Sequence, residues 1–441
     1  CNVGLISSSY FTGSLTNILF YSNSLTAAQA GEIANYKYPT TYSSALVELC
    51  QLGNLKFFKD YANSQSSLNA DYSSGSATAT FTSTRGASNP ATYIDASGVV
   101  QTTTTSDVPR FTAGFYNDTG FVSRPGLIIE GASTNLVPKS STINDATWAA
   151  SNVTASDAEA LASPDGTATT SSITATAGNG TLLLASAVTA QTYSVWLRRK
   201  TGTGNIDITA NGGTNWTTVS LSDTEWRRFQ VTAASASQKC GIRVVTSGDA
   251  VYVWGNQFEN IPFSSTYIPT VSASRTRNKE NLSYVASGNI SLSEKSIFGK
   301  FYHFQNRTGA NTTTTLLETD ADLIRFRSWD SAAGNVRFFP NGTQNAGVVA
   351  GANHAFVANT SYVYAGVASH SSPYSNLYVN GSSIATYTIG DWNNLNLGTN
   401  FYIGENNSAG QQLFGVIESC AIFSDAKSST DVATITNLLN G

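Results

Sequence analysis

The sequence has no methionine, and only three histidines and four cysteines among its 441 residues. Without methionine it carries no initiator, so the chain is expected to begin after processing or inside a longer protein. Its start, Cys1-Asn2-Val3-Gly4, lacks the basic and apolar regions of a secretion signal. Cys1, Cys50, Cys240 and Cys420 lie far apart, and none has the Cys-x-x-Cys spacing of a metal site. Cys240 and Cys420 stand in apolar strand contexts that predict buried thiols. Cys1 and Cys50 either bridge or stay free, since bridging depends on geometry. His303, His354 and His370 have no evident acid or nucleophile partner. Gly-x-Ser-x-Gly, His-Glu-x-x-His and phosphate-cradling glycine patterns are missing too. Glycoside hydrolysis needs two converging carboxyl groups, and the low Asp and Glu content argues against them. The expectation is a protein that is not an enzyme.

Charge is scarce as well. Asp, Glu, Lys and Arg make up 12% of the chain, against roughly 25% in an ordinary soluble domain. The 24 basic and 28 acidic residues leave a net charge of −4. The longest basic run is Arg198-Arg199-Lys200, too short for a nucleic-acid face. No apolar run approaches the roughly 20 residues of a membrane helix, so membrane insertion is not expected. Ser, Thr, Asn, Ala and Gly fill the gap left by charge. Such a surface hydrogen-bonds well and repels little. That suits a stable uncharged exterior first, and a sugar-binding face second.

What is present reads as strand and turn. Hydrophobic residues make up 41% of the chain, enough for packed cores, and its length argues for about two to four domains. Short alternating strands recur at Thr192–Arg198, Trp226–Thr232, Gly241–Val245 and Val251–Trp254. Turn signals separate them at Gly202, Gly212-Gly213, Asp223 and Ser247-Gly248-Asp249. This spacing predicts a sandwich or jelly roll. Asn380-Gly381 predicts a hairpin turn between two further strands.

Four segments stand in a particular order. Thr92-Tyr93-Ile94-Asp95 leads to Gly98-Val99-Val100-Gln101, and Gly126 to Leu136 follows. Val251 to Glu259 and Ser265 to Thr270 come after these. The order resembles a module of tailed-bacteriophage virion proteins, written "TYID-G-VQ", "GLLIEGASTNL", "VYVWGAQLE" and "SYIPT". Ile129 and Asn256 stand where Leu and Ala are usual. The likeness spans roughly residues 81 to 277. At the C-terminus, Leu377-Tyr378-Val379-Asn380-Gly381, Leu395 to Gly398 and Phe401 to Gly404 resemble laminin-G-type, concanavalin A-like domains. So do the closing strand Leu413–Asp425 and the helix Ser429–Leu439. Phe11–Ile33, with Thr26 as a helix N-cap, repeats that closing pattern.

The expected fold is all-β, with tandem antiparallel β-sandwiches of jelly-roll and concanavalin A-like type and few short helices. The expected segments are four. Residues 1–38 are the closing strand and helix of a truncated laminin-G-like domain, and 39–128 are an extended connector. Residues 129–277 are a carbohydrate-binding-module-like sandwich, and 278–441 a concanavalin A-like sandwich. The stretch Ser64–Ser88 has too few apolar residues to fold alone. Packing against copies of itself, in a trimer, would remedy that.

Trp196, Trp226 and Trp254 lie in alternating strands and are expected in the core. Trp148 and Trp216 stand in polar surroundings and are surface candidates. Trp392 with Asp391, Asn393 and Asn394 sets an aromatic plane beside amide and carboxylate groups, as sugar recognition requires, although a Trp can also simply anchor its own loop. Tyr374 and Trp329-Asp330 are weaker versions. Glu318, Asp320 and Asp322 could ligate calcium, as laminin-G-type folds do, but lack the glycine-punctuated loop of a dedicated site. A solvated turn is the plainer reading. The resemblances together imply a virion protein (a tail fibre, tail-tip component or head fibre) attaching to host-surface glycan. A purely structural decoration subunit and a polysaccharide depolymerase are the alternatives.

Overall fold

The strand Gly415–Phe423 is buried at all nine of its positions. In the computed structural model, which describes residues 5–6, 9–10, 44–304, 314–320, 324–329, 335–340, 350–354, 357–388, 397–405 and 411–441, it has partners along both edges. Lys295–His303 pairs along one edge. Leu55–Asp60 and then Gly120–Ile129 share the other. A strand covered on both faces must be apolar almost throughout, and Val416, Ile417, Cys420, Ala421, Ile422 and Phe423 are all 1% exposed or less.

Eight strands join this one in a nine-stranded sheet, and a seven-stranded sheet packs against it. The second sheet runs from Ala350–Asn353 through Arg325–Trp329, Thr314–Thr319 and Asn400–Ile403 to Glu280–Val285 and Ala79–Ser83. Phe57, Tyr284, Phe326, Phe338, Tyr364 and Phe401 fill the space between. The Asn380-Gly381 turn joins Ser375–Val379 to Ser382–Tyr387, with both φ angles positive (49° and 78°) as such a hairpin requires. The helix Ser429–Asn440 closes the chain. Ser428 caps it, accepting from the Asp431 backbone N–H while the Asp431 carboxylate takes the Ser428 N–H.

The segment 39–128 is not a connector in its described part. It holds the helix Ser44–Gln51 and the strands Leu55–Asp60, Tyr72–Ser73, Ala79–Ser83 and Phe111–Asn117. These strands, with Gly120–Ile129, are hydrogen-bonded into the two sheets of the C-terminal sandwich. The Ser/Thr-rich stretch sets its few apolar residues, Leu68, Ala70, Ala79 and Phe81, against the C-terminal core. It is held by edge pairing, Ala79–Ser83 on Glu280–Val285, and by Asn289, which binds Ser73 and the backbone of Gly75 and Ser76. The case for a trimer that rested on this stretch loses its ground.

The middle sandwich interrupts the other one. It departs after Ile129 and returns before Glu280 through a neck of two short antiparallel strands, Ser133–Asn135 and Arg275–Arg277. Its two five-stranded sheets enclose Ile173, Leu182, Val195, Leu197, Ile208, Ile242 and Val253. Cys240 and Cys420 are buried as expected, and Cys50 is exposed on its helix. Phe11–Ile33 and Cys1 lie outside the described residues.

Candidate functional site

The four ordered segments meet at the neck. Arg110, just before the strand Phe111–Asn117, is fully buried. Its Nε and Nη2 donate to the two oxygens of Glu280 at 2.6 and 2.5 Å, and Nη2 also reaches Glu130 at 2.9 Å. Nη1 donates to the Thr92 carbonyl and the Thr266 hydroxyl. Arg277 pairs with Glu130 at 3.2 Å, and Arg85 pairs with Glu280. Burial works against the charge on Arg110, but Glu280 and Glu130 outweigh it and raise its pKa. Burial likewise works against charge on Glu130, and Arg277 and Arg110 hold its carboxyl below the ordinary value. Each segment donates one part of this clasp or its support. Asn135 ties the backbones of Val137, Asn256, Phe258 and Ile268 together. Gln257 accepts from the Ile268 N–H. Asp95 closes its own turn by accepting from Ser97, Val99 and Gln101.

Above the neck lies an aromatic cluster of Trp196, Trp226, Trp254 and Tyr267, covered by Ile94 and Val100 of the hairpin Ala91–Thr103. The three tryptophans are buried as expected, but on the outer face of their sheet and beneath this hairpin. Trp196 and Trp254 meet edge to face at 5.2 Å. Gly255 has φ +66°, and a Cβ there would stand 2.6 Å from the Trp196 ring.

Beside the cluster opens a cavity of about 380 Å³. Phe115, Tyr116 and Asn117 of one hairpin form one side, and Thr217–Ser220 of the middle sandwich form another. Arg228, Phe229 and Gln230 line it as well. Arg228 lies cross-strand from Trp196, and its guanidinium sits 4.4 Å from that ring's centroid. It donates to the Ser265 carbonyl and the Ser194 hydroxyl. Its Nε is buried without a partner. Burial brings its pKa down to about 10, with Glu259 and Glu130 acting against the shift, so it is charged at neutral pH. Glu259 is itself taken up by Ser133, Gln257 and Ser265.

The residues singled out from sequence fall elsewhere. Asp391, Trp392, Asn393, Asn394 and Asp322 lie outside the described residues. Trp216 is half-exposed, with the Arg243 guanidinium 4.7 Å from its ring centroid, and Arg243 in turn pairs with Asp207. Trp148, expected at the surface, is buried and donates from its indole to the Thr142 carbonyl. Its strand faces the sandwich core, which outweighs the polar residues around it in sequence. Tyr374 is half-buried against the C-terminal core. Glu318 is buried in an ion pair with Arg327. Asp320 accepts from the Thr399 and Asn400 N–H groups and the Tyr402 hydroxyl. Both carboxylates are therefore engaged by protein donors. No cluster of metal-binding side chains occurs among the described residues. Arg228 was missed because its meaning depends on strand pairing. The available signal was Arg227-Arg228 set between two aromatics in a charge-poor chain.

Residues 285–433 match the family described as the concanavalin A-like lectin/glucanases superfamily, laminin-G type. The C-terminal sandwich is a concanavalin A-like, laminin-G-type domain. No curated protein matches the chain. Among solved structures, a heptameric SAP-like pentraxin from Limulus polyphemus is 15% identical, over 32% of this chain and 69% of that one, with a TM-score of 0.26. Domain 4 of the arabinanase AbnA from Geobacillus stearothermophilus, in complex with arabinotriose, is 14% identical over 36% and 73%, with a TM-score of 0.29. The binding domain of botulinum neurotoxin DC, in complex with rat synaptotagmin II, is 12% identical over 37% and 40%, with a TM-score of 0.30. At such scores these likenesses carry no argument about what the concanavalin A-like domain binds.

Proposed function

We propose that this chain is a glycan-binding attachment protein of a tailed-bacteriophage virion. The observation that carries the binding part is the lectin-type sandwich matched over residues 285–433. The virion part rests on the order of the four segments, which resembles that module. The clasp supports a protein that must hold two sandwiches in fixed register under load. Binding without turnover is the favoured activity, since Asp118 is the one carboxylate among the residues lining the cavity and hydrolysis needs two. The segment Asp391–Asn394 is the proposed contact in the C-terminal domain, with Trp392 offered to a sugar face. Single sites of this kind bind weakly, and several copies, as in a homo-oligomer, would multiply their effect.

A purely structural decoration subunit is the second reading. It is favoured by the burial of Arg110, Glu130, Asn135 and Glu280, which spends the module's most specific residues on packing. A glycan array probed with the purified chain separates the two. Retention of defined glycans supports attachment, and its loss in Trp392→Ala assigns the Asp391–Asn394 segment. An array that retains nothing overturns the attachment reading in favour of the structural one.

A further inference from the structure

One arginine at the neck stands outside its ion pairs. Arg85, Arg110 and Arg277 face Glu130, Glu259 and Glu280, three charges of each sign, and half-buried Arg228 stands beside them as a fourth cation. Three of the arginines are accounted for. Arg85, Arg110 and Arg277 each form an ion pair with a glutamate. Arg228 forms none. Of its five N–H groups, two hydrogen bonds are made, both to neutral oxygens. Its Nε is shut away from solvent without a partner. Its guanidinium carbon lies 4.4 Å from the Trp196 ring centroid, a contact that limits its movement. Glu259 and Glu130 act on its charge without bonding to it, being held by other donors, and the guanidinium lines the cavity.

The rest of the cavity is neutral and mixed. Phe115 and Tyr116 offer aromatic surface, Asn117 and Gln230 amides, and Thr218 and Ser220 hydroxyls. Asp118 is the single acid, and it stands exposed at the hairpin tip. The volume of about 380 Å³ lies within the range of about 300–1,000 Å³ usual for small-ligand pockets.

We propose that this cavity binds an acidic sugar, its carboxylate forked on Arg228 and its hydroxyls on the surrounding amides and hydroxyls. The site belongs to the junction of the middle sandwich with the hairpin at Phe115, and not to the Asp391–Asn394 segment. The proposal rests on the glycan-binding reading above and names the class of glycan.

The test is an equilibrium titration of the full chain, followed by ligand NMR, with methyl glucuronide, methyl glucoside and glucose 6-phosphate. The first two differ only in the carboxylate. The glucuronide should bind about tenfold or more tightly than the glucoside, as expected for one charge-assisted fork. Arg228→Gln should abolish that preference, and Arg228→Lys should keep part of it. Thr217→Trp, an exposed substitution at the cavity wall, should block the glucuronide while leaving Arg228 untouched. Equal binding of glucuronide and glucoside in both wild type and Arg228→Gln overturns the proposal while leaving glycan binding standing. Tighter binding of glucose 6-phosphate than of the glucuronide overturns the carboxylate assignment. Failure of the array and of all three probes removes the glycan reading, and the proposal falls with it.

Discussion

Arg110 and Arg228 are built from the same side chain and stand on neighbouring parts of one junction, yet they are used oppositely. Arg110 has two glutamates, a carbonyl and a hydroxyl, and nothing is left over. Arg228 has a carbonyl, a hydroxyl and an aromatic face, but no carboxylate bonded to it. Polar satisfaction explains why the first belongs to the fold. The same criterion marks the second as incomplete without something else. A buried ion is thus informative through its partners and not through its burial alone.

The clasp side of this comparison breaks most readily. Glu280→Gln leaves Arg110 and Arg85 without their shared counter-ion. It should lower unfolding stability by about 3–5 kcal/mol, read by urea denaturation. A loss under about 1 kcal/mol would mean that the charges are well solvated and that no clasp exists.

Acid should weaken the clasp. Glu130 keeps its proton off below the ordinary value of 4.5 because Arg277 and Arg110 overcome the effect of burial. A depressed folded pKa makes its contribution fully present above pH 4.5 and lost as pH falls through the folded value. The stability of the protein should therefore fall as pH drops below 4.5 and through the lowered folded value. Glu130→Gln, though weaker throughout, should show a shallower acid slope. An unchanged slope would place the acid-sensitive group elsewhere.

How much of this was legible in the sequence differs between the two sandwiches. The middle one is contiguous, so its strands, their turns and the burial of Trp196 and Trp254 could be read from alternation alone. The C-terminal one was legible in its closing strand, its Asn380-Gly381 hairpin and its terminal helix. Its first strands were not, because Leu55–Asp60 and Ala79–Ser83 pair with partners some 200 or more residues away. No local pattern records such a pairing. The order of the four segments was visible, but their shared purpose was not. Arg110, Glu130 and Glu280 acquire meaning only when the neck brings them within hydrogen-bonding distance. The site fared worse for the same reason. Trp216 was singled out, yet the strand that follows it, Thr217–Val219, is what lines the cavity.

Smaller effects sharpen the other side of the comparison. Gly255→Ala forces a Cβ against the Trp196 ring at a positive φ. It should cost about 1–3 kcal/mol by disturbing the platform under Arg228, measured by thermal unfolding. Thr217→Trp, on an exposed strand, should change stability by no more than about 0.5 kcal/mol. A larger loss would show that the cavity wall is part of the packed core.

The most direct test sets Arg228→Gln beside Arg110→Gln in thermal unfolding, each with and without excess methyl glucuronide. Ligand that binds only the folded state must raise the melting temperature. The account predicts that Arg228→Gln unfolds within about 2 kcal/mol of wild type, the worth of its stack on Trp196, and gains nothing from the ligand, whereas wild type is stabilised. Arg110→Gln should be severely weakened in either condition. The account is contradicted if Arg228→Gln is as damaged as Arg110→Gln, or if it is stabilised by the glucuronide as much as wild type.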